Sequence, residues 1–346
     1  MSAKTREAAL VPSAASSRGD ATEPGPRSQL ARVAAFLQRP GMAALVVLVA
    51  LSAVSSGIWE SFHTIDNVRN VLLGNSYIGI VAIGMTLVII TGGIDLSVGS
   101  VFALGGVVGV YANGHGGVLV ALLATLLVCG TVGLLNGVLI GYARLAPFIV
   151  TLASLLGVRG LVLLLTKEGQ VTNQVPADSA FAHLGTGTLL SFGIPIFIAI
   201  LLYVIGHIVL ERTPFGLTVT AIGGSESAAG LMGLKVRQTK VLLYVASASL
   251  AGLAGMLQAA QLVSASPIIA VGYELQAISA VVIGGTLLTG GAGTLVGTAA
   301  GVVLLGAINS VINQLQLENT WQNVVSGAFL IVVVLVQRIL TRARQR

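Results

Sequence analysis

From Leu275 to Leu317 the chain carries no Asp, Glu, Lys or Arg, yet it holds eight glycines, at 284, 285, 290, 291, 293, 297, 301 and 306. A soluble core helix of that length would show a polar stripe. A stretch that is apolar all round, at about 20 residues per crossing, fits a lipid bilayer instead. Glycines spaced by three or four let helix backbones approach closely inside lipid. The region therefore predicts two tightly packed transmembrane helices. Gly293, Gly297 and Gly301, at intervals of four, are expected to form one packing face.

The rest of the chain agrees. Hydrophobic residues make up 55% and charged residues only 9% of the 346. A soluble fold of this composition would expose a large apolar surface and aggregate. Further charge-free runs lie between Arg69 and Asp95, Asp95 and Arg144, Asp178 and Glu211, Lys240 and Glu274, and Glu318 and Arg338. The second is long enough for two crossings and is split by the polar turn Ala112–Gly117. An all-α, polytopic membrane fold with about ten helices is expected. The predicted spans are 41–59, 73–92, 97–113, 118–140, 147–166, 191–210, 241–262, 274–290, 294–314 and 321–339. The stretch 274–314 leaves broken or re-entrant segments open.

Charge sets the orientation. With both termini cytoplasmic and ten crossings, fifteen of the eighteen Lys and Arg face inward, as the positive-inside rule requires. The net charge of +6 then lies beside anionic headgroups, and nothing calls for nucleic acid. Residues 1–40, rich in Ala, Ser, Pro and Arg, read as a disordered cytoplasmic tail. The apolar run after Gly41 is too far from Met1 for a typical secretory signal, so an uncleaved first span is expected. Residues 41–340 form the transmembrane domain, and 341–346 a basic cytoplasmic end.

The long internal loop 211–240 is organised. Ser225 can cap a short helix, Glu226 suits its N-terminal end, and Gly233 can terminate it. Gly223 and Gly224 allow a turn before it. A faint echo links Ile-Gly-Met-Thr-Leu with Thr-Gly-Gly (83–93) to Ile-Gly-Gly-Thr-Leu-Leu-Thr-Gly-Gly (283–291), either by duplication or by chance among glycine-rich sequences.

Catalytic signatures are missing. The sequence has no phosphate-binding Gly-x-x-x-x-Gly-Lys-Ser/Thr loop, no His-Glu-x-x-His and no Gly-x-Ser-x-Gly. Its single Cys129 reads as a small buried hydrophobe, with no disulfide and no metal site. What remains is polarity at membrane depth, which is by default functional. Asp95 and Glu274 either cap helices near the interfaces or face a translocation path. Arg159 either pairs with a carboxylate, snorkels, or lines that path. Asn136, Thr151, Ser154, Asn309 and Asn313 either bond between helices or contact solute.

Several segments together resemble the ribose-type sugar permeases of bacterial ABC importers. These are Thr-Gly-Gly-Ile-Asp-Leu-Ser-Val-Gly-Ser (91–100), Pro-Phe-Ile-Val-Thr-Leu-Ala (147–153) with Arg159-Gly160, Arg-Thr-Pro-Phe-Gly (212–216) with Ala-Ile-Gly-Gly (221–224), and Gly-Tyr-Glu-Leu (272–275) through Gly-Gly-x-Gly (290–293). The resemblance covers residues 41–340 in the family's order. It departs at Leu217, where a basic residue often stands, and at Ser225, where Asn is common.

The resemblance implies a pore of two permease subunits, identical or not, in the bacterial inner membrane. It implies a separate cytoplasmic ATPase that holds ATP and Mg, with no cofactor on this chain. It also implies a periplasmic or lipid-anchored sugar-binding protein. Gly223, Gly224, Ser225, Glu226, Ala229 and Gly233 then become the expected ATPase-coupling segment. Asp95, Asn136, Thr151, Arg159, Glu274 and Asn309 are the path candidates. A permease for branched-chain amino acids or nucleosides is the near alternative, and an ion-coupled secondary transporter the distant one.

Overall fold

The computed structural model describes residues 42–169 and 174–317, with isolated positions between 321 and 331. The expected tail 1–40, the basic end 341–346 and most of the span 321–339 lie outside the described residues. The rest is helix after helix: α1 (Met42–Ile58), a 3-10 turn (Glu60–His63), α2 (Ile65–Ile90), α3 (Val98–Gly141), α4 (Pro147–Leu165), α5 (Ala180–Thr186), α6 (Ile194–Arg212), α7 (Pro214–Gly224), α8 (Glu226–Leu231), α9 (Val236–Gln261), α10 (Tyr273–Ile283) and α11 (Leu295–Gln314). A two-residue hairpin, β1 (Thr188–Leu189) and β2 (Phe192–Gly193), joins α5 to α6. Among the described residues six helices, α2, α3, α4, α6, α9 and α11, are long and apolar enough to cross a membrane.

α2 is the central post. Every residue from Ser76 to Ile90 is buried. Its first turns extend through Asp66, Asn67, Arg69 and Asn70, a polar stretch left outside the expected span 73–92. Thr64 starts the helix by accepting a hydrogen bond from Asn67 N at 3.3 Å.

α3 bends back on itself at Gly116 and Gly117, which leave helical geometry, Gly117 with φ +73°. That is the break expected at the polar turn. Both arms grip α9 through glycines. A Cβ on Gly137 would lie 2.7 Å from Val241 Cα, and one on Gly141 would lie 2.9 Å from Arg237 O. A Cβ on Gly105 would strike the backbone of Gly252, and one on Gly255 the carbonyl of Phe102. By contrast α4 and α6 leave Leu156, Leu164, Ile200 and Leu201 exposed, as a lipid-facing surface does.

The expected helix 274–290 is shorter. α10 stops at Ile283, and residues 284–294 are irregular. The reason is local. Gly285, Gly290 and Gly291 take φ of +90°, +83° and +82°, conformations that are costly for other residues. Irregular backbone at membrane depth survives only where protein satisfies it. Here Thr286 N donates to Val281 O at 3.2 Å, Leu287 N to Ala292 O at 3.0 Å, and Gly291 N to Ile90 O at 2.8 Å.

The glycine face is also corrected. Thr294 caps α11 by accepting from Gly297 N at 3.0 Å, so Gly293 precedes the helix and faces the Thr286 side chain. Gly297 and Gly301 do share a face. A Cβ on either would strike α10 or its end, at the carbonyls of Gly284 and Ala280. The segment 211–240 contains one more helix than expected, because Pro214 at its first turn starts α7.

Candidate functional site

Three polar features stand out, in different parts of the bundle. The first is a buried node at the turn between α2 and α3. Asp95 is wholly buried. Its Oδ1 accepts from Ser97 N at 3.0 Å and from Ser97 Oγ at 2.6 Å, and its Oδ2 accepts from Ser247 Oγ at 2.8 Å. Asn136 Nδ2 donates to Ser97 Oγ at 3.2 Å, and Ser154 Oγ donates to Asn136 Oδ1. Thr151 Oγ1 donates to Ile94 O at 3.3 Å, on the same turn, and to Pro147 O at 2.9 Å. Three of the path candidates, Asp95, Asn136 and Thr151, thus meet in one network that ties α3, α4 and α9 to a single turn. Ser97, Ser154 and Ser247 are its other members; of these Ser247 is unremarkable in sequence, because a single serine in an apolar helix carries no pattern.

A fully buried carboxylate with several donors is costly to break, since each donor left unpaired costs about 1–3 kcal/mol. Asp95→Leu is therefore expected to lower stability by on the order of 3 kcal/mol or more, and Asp95→Asn by about 1 kcal/mol, because Asn keeps one acceptor. Thermal unfolding midpoints of the detergent-purified variants check this. Equal midpoints for the two would dismiss the network as a structural tie.

The other charged candidates act elsewhere. Arg159 Nη1 donates to Pro267 O at 2.7 Å and Ile269 O at 3.1 Å, so it staples α4 to the loop before α10. Among the described residues it makes no ion pair, although the Glu274 carboxylate is near enough for the two charges to act on each other. Glu274 Oε2 is buried without a hydrogen-bond partner among the described residues, and it packs against Gly99 at the first turn of α3.

The second feature is a cavity of about 390 Å³ at the start of α2, between α10 and the end of α11. Asn67, Asn70, Asn75, Gln276, Asn309 and Asn313 line it. Asn67 is held on both sides: its Nδ2 donates to Phe62 O at 2.7 Å, and its Oδ1 accepts from Ser310 Oγ at 2.9 Å. Asn75 Nδ2 donates to Val71 O at 2.7 Å, and Gly306 leaves room for its amide. Asn309 Oδ1 is buried with no partner among the described residues. Tyr273, also in the lining, is braced edge-on by Phe102 at 5.1 Å between ring centroids. Of the residues expected to line a path or contact solute, Asn309 and Asn313 lie here. Asn67, Asn70, Asn75 and Gln276 were not foreseen. The signal that could have found them is three asparagines within the first turns of an otherwise apolar helix.

The third feature lies where the loop after α3 meets α8 and the start of α9. A groove of about 650 Å³ is lined there by Arg144, Lys235, Arg237 and Glu226 among others. α8 is a capped single helix. Ser225 Oγ accepts from Ala228 N at 3.3 Å, Ala229 is buried, and Gly233 closes the end with φ +80° while Leu234 N donates to Ala229 O at 3.1 Å. Glu226 is not a free charge, since Lys240 Nζ donates to it at 2.7 Å. The free features are apolar: Leu231 and Met232 are 91% and 77% exposed. Gly223 and Gly224 do not make a turn but end α7. A Cβ on Gly223 would strike Ile90 O and Gly291 N, whereas one on Gly224 would meet nothing within 4 Å.

A family model described as branched-chain amino acid transport system / permease component matches residues 67–334. The chain belongs to this permease family. The ribose import permease protein RbsC of Escherichia coli (strain K12) is 38% identical over 298 residues, covering 84% of this chain and 92% of that protein. The fructose import permease protein FruG of Bifidobacterium longum (strain NCC 2705) is 33% identical over 310 residues, covering 86% and 90%. The L-arabinose ABC transporter permease protein AraH of Azospirillum brasilense is 34% identical over 321 residues, covering 91% and 93%. No solved structure matches the chain significantly. Family and apolar helices together make this permease a multi-pass membrane protein.

Proposed function

We propose that this permease is the membrane-spanning subunit of an ABC importer that moves a neutral monosaccharide or related polyol across the bacterial inner membrane. It crosses the membrane ten times, the two arms of α3 counting separately, with both termini cytoplasmic. The observation that carries the reading is the nearly full-length similarity to import permeases named for ribose, fructose and L-arabinose. The asparagine cavity agrees in chemistry, because carboxamides both donate to and accept from hydroxyls. In this orientation the cavity faces outward, towards a periplasmic or lipid-anchored binding protein. The groove and α8 lie roughly 30 Å away along α2, facing a cytoplasmic ATPase.

ATP and Mg belong to that separate subunit, and this chain catalyses no reaction and holds no cofactor. A second permease subunit completes the pore. Branched-chain amino acids fit less well, because among the described residues the cavity lining has no Asp, Glu, Lys or Arg to meet a zwitterion. Proteoliposomes holding the permease, its ATPase and its binding protein test the energy source. Sugar uptake is expected to fall to the level of empty liposomes with a hydrolysis-dead ATPase, even under an imposed proton or Na⁺ gradient. Full accumulation under that gradient would make the chain a secondary transporter.

A further inference from the structure

We infer that the asparagine cavity is a solute-recognition site in the permease itself, one that accepts uncharged polyhydroxylated solutes and rejects their acids and phosphate esters. The inference rests on the sugar-import reading and deepens it, because it assigns part of the selectivity to this chain and not only to a binding protein. Three observations carry it. The size is right: about 390 Å³ lies within the range of about 300–1,000 Å³ typical of small-molecule sites. The lining is built of neutral amides from three separate helices, α2, α10 and α11, converging on one space. One of those amides presents an unused group, since Asn309 Oδ1 is buried with no partner among the described residues.

A buried acceptor without a donor is unfavourable, and a solute hydroxyl would satisfy it. The amides of Asn70 and Asn313 offer both donors and acceptors at the cavity edge, which suits a hydroxyl group that plays both roles. A carboxylate or phosphate would lose its hydration on entry and find no cation among the described lining residues. Neutral amides compensate such a loss only in part. The cavity therefore sorts by charge before it sorts by shape. The ion pair Arg69–Asp66, at 2.9 Å on the same helix, is self-neutralised and outside the lining.

The test is site-directed protection in the full-length chain in proteoliposomes. Asn70→Cys, and separately Asn313→Cys, is exposed to a membrane-impermeant maleimide. The parent chain is the blank, because its one cysteine, Cys129, is buried. D-ribose, L-arabinose and D-fructose are compared with gluconate and ribose 5-phosphate as protectants. At least one neutral sugar is expected to slow labelling about tenfold when present at ten times its dissociation constant, with no protection by the two anions. Adding Asn309→Leu should weaken the protecting sugar's affinity by about two- to tenfold, the value of one hydrogen bond. Absence of labelling at both positions, absence of protection, or equal protection by the anions would each overturn the site. Transport of the same sugars by the parent chain with its ATPase and binding protein is measured in parallel. Transport without protection refutes the site alone. A failure of all transport with all partners active refutes the sugar-import reading as well.

Discussion

Leucine in place of Gly255 is expected to abolish accumulation of folded protein in the membrane. A Cβ at this position would strike the Phe102 carbonyl of α3 and lie 3.2 Å from Gly106 N. Both obstacles are backbone, so no side chain can rotate aside. Overpacking commonly costs about 1–3 kcal/mol where side chains can adjust, and here the helices themselves must separate. Gly252 is no safety valve, since its own Cβ position is filled by the Cys129 side chain. α9 also meets the other arm of α3 at Gly137 and Gly141, so separating the helices at one end strains the other. The comparison is Gly57→Leu, where an added Cβ meets nothing within 4 Å among the described residues. Its yield after detergent extraction and size-exclusion chromatography should equal that of the parent. Equal yields for the two variants would mean that α3 and α9 are not in backbone contact.

The second large effect separates two adjacent glycines. Gly223→Val drives a side chain between Ile90 O and Gly291 N, whereas at Gly224 an added Cβ meets nothing within 4 Å among the described residues. Gly223→Val meets backbone as closely as Gly255→Leu does, so the yield of folded protein should fall. What does insert should bind ATPase yet uncouple hydrolysis from transport, because the link from α7 to the α2 turn is wedged apart. Gly224→Val should leave the permease's own stability unchanged and reduce ATPase co-purification by more than about tenfold, equivalent to about 1.4 kcal/mol. Glu226→Lys, which turns the pair with Lys240 into a repulsion, should weaken co-purification less, as exposed ion pairs contribute little. Normal co-purification with Gly224→Val would move the docking surface away from α8, towards Arg144 and the loop after α3. Tight coupling in Gly223→Val would mean that the junction yields without consequence.

Much of the fold is legible in the sequence where punctuation is strong. Pro147 opens α4 and the polar turn at Gly116–Gly117 breaks α3, so those limits fall within a residue or two of expectation. Average hydrophobicity misleads where a helix changes character. The first turns of α2 are polar because they line a cavity, and an apolar window places the helix start near residue 73 when it lies at Ile65. α10 errs the other way: its continuation is apolar enough to cross, but paired glycines end it. α5 is held by a contact distant in sequence, and α7 folds straight back on the end of α6. Gly185 lies against Gln261 N and Gly216 against Leu210 O, and no local pattern announces such contacts.

The site is legible only in fragments. Asp95, Asn136 and Thr151 stand out singly as polar residues at depth, but that they share one network depends on α3 folding back. The cavity draws on residues from Asn67 to Asn313, and no stretch of sequence holds more than three of its amides. Glu226 stands out in the sequence as a charge, while Leu231 and Met232, the exposed features at the end of α8, look like ordinary apolar residues until their surroundings are known.

The two echoing Thr-Gly-Gly turns touch in space. Gly291 N donates to Ile90 O at 2.8 Å, Gly290 lies against Gly92, and the end of α7 rests on both at Gly223. Little but backbone meets there, and four of the residues are glycine. Such a contact resists being pulled apart, yet opposes little against turning, because no interlocked side chains must be lifted out before one segment rolls on another. It has the properties of a ball joint. A rotation of α7 at this socket would bear on the end of α2 and on the strap leading to α11 together, and α2 and α11 are the helices that carry Asn70 and Asn309.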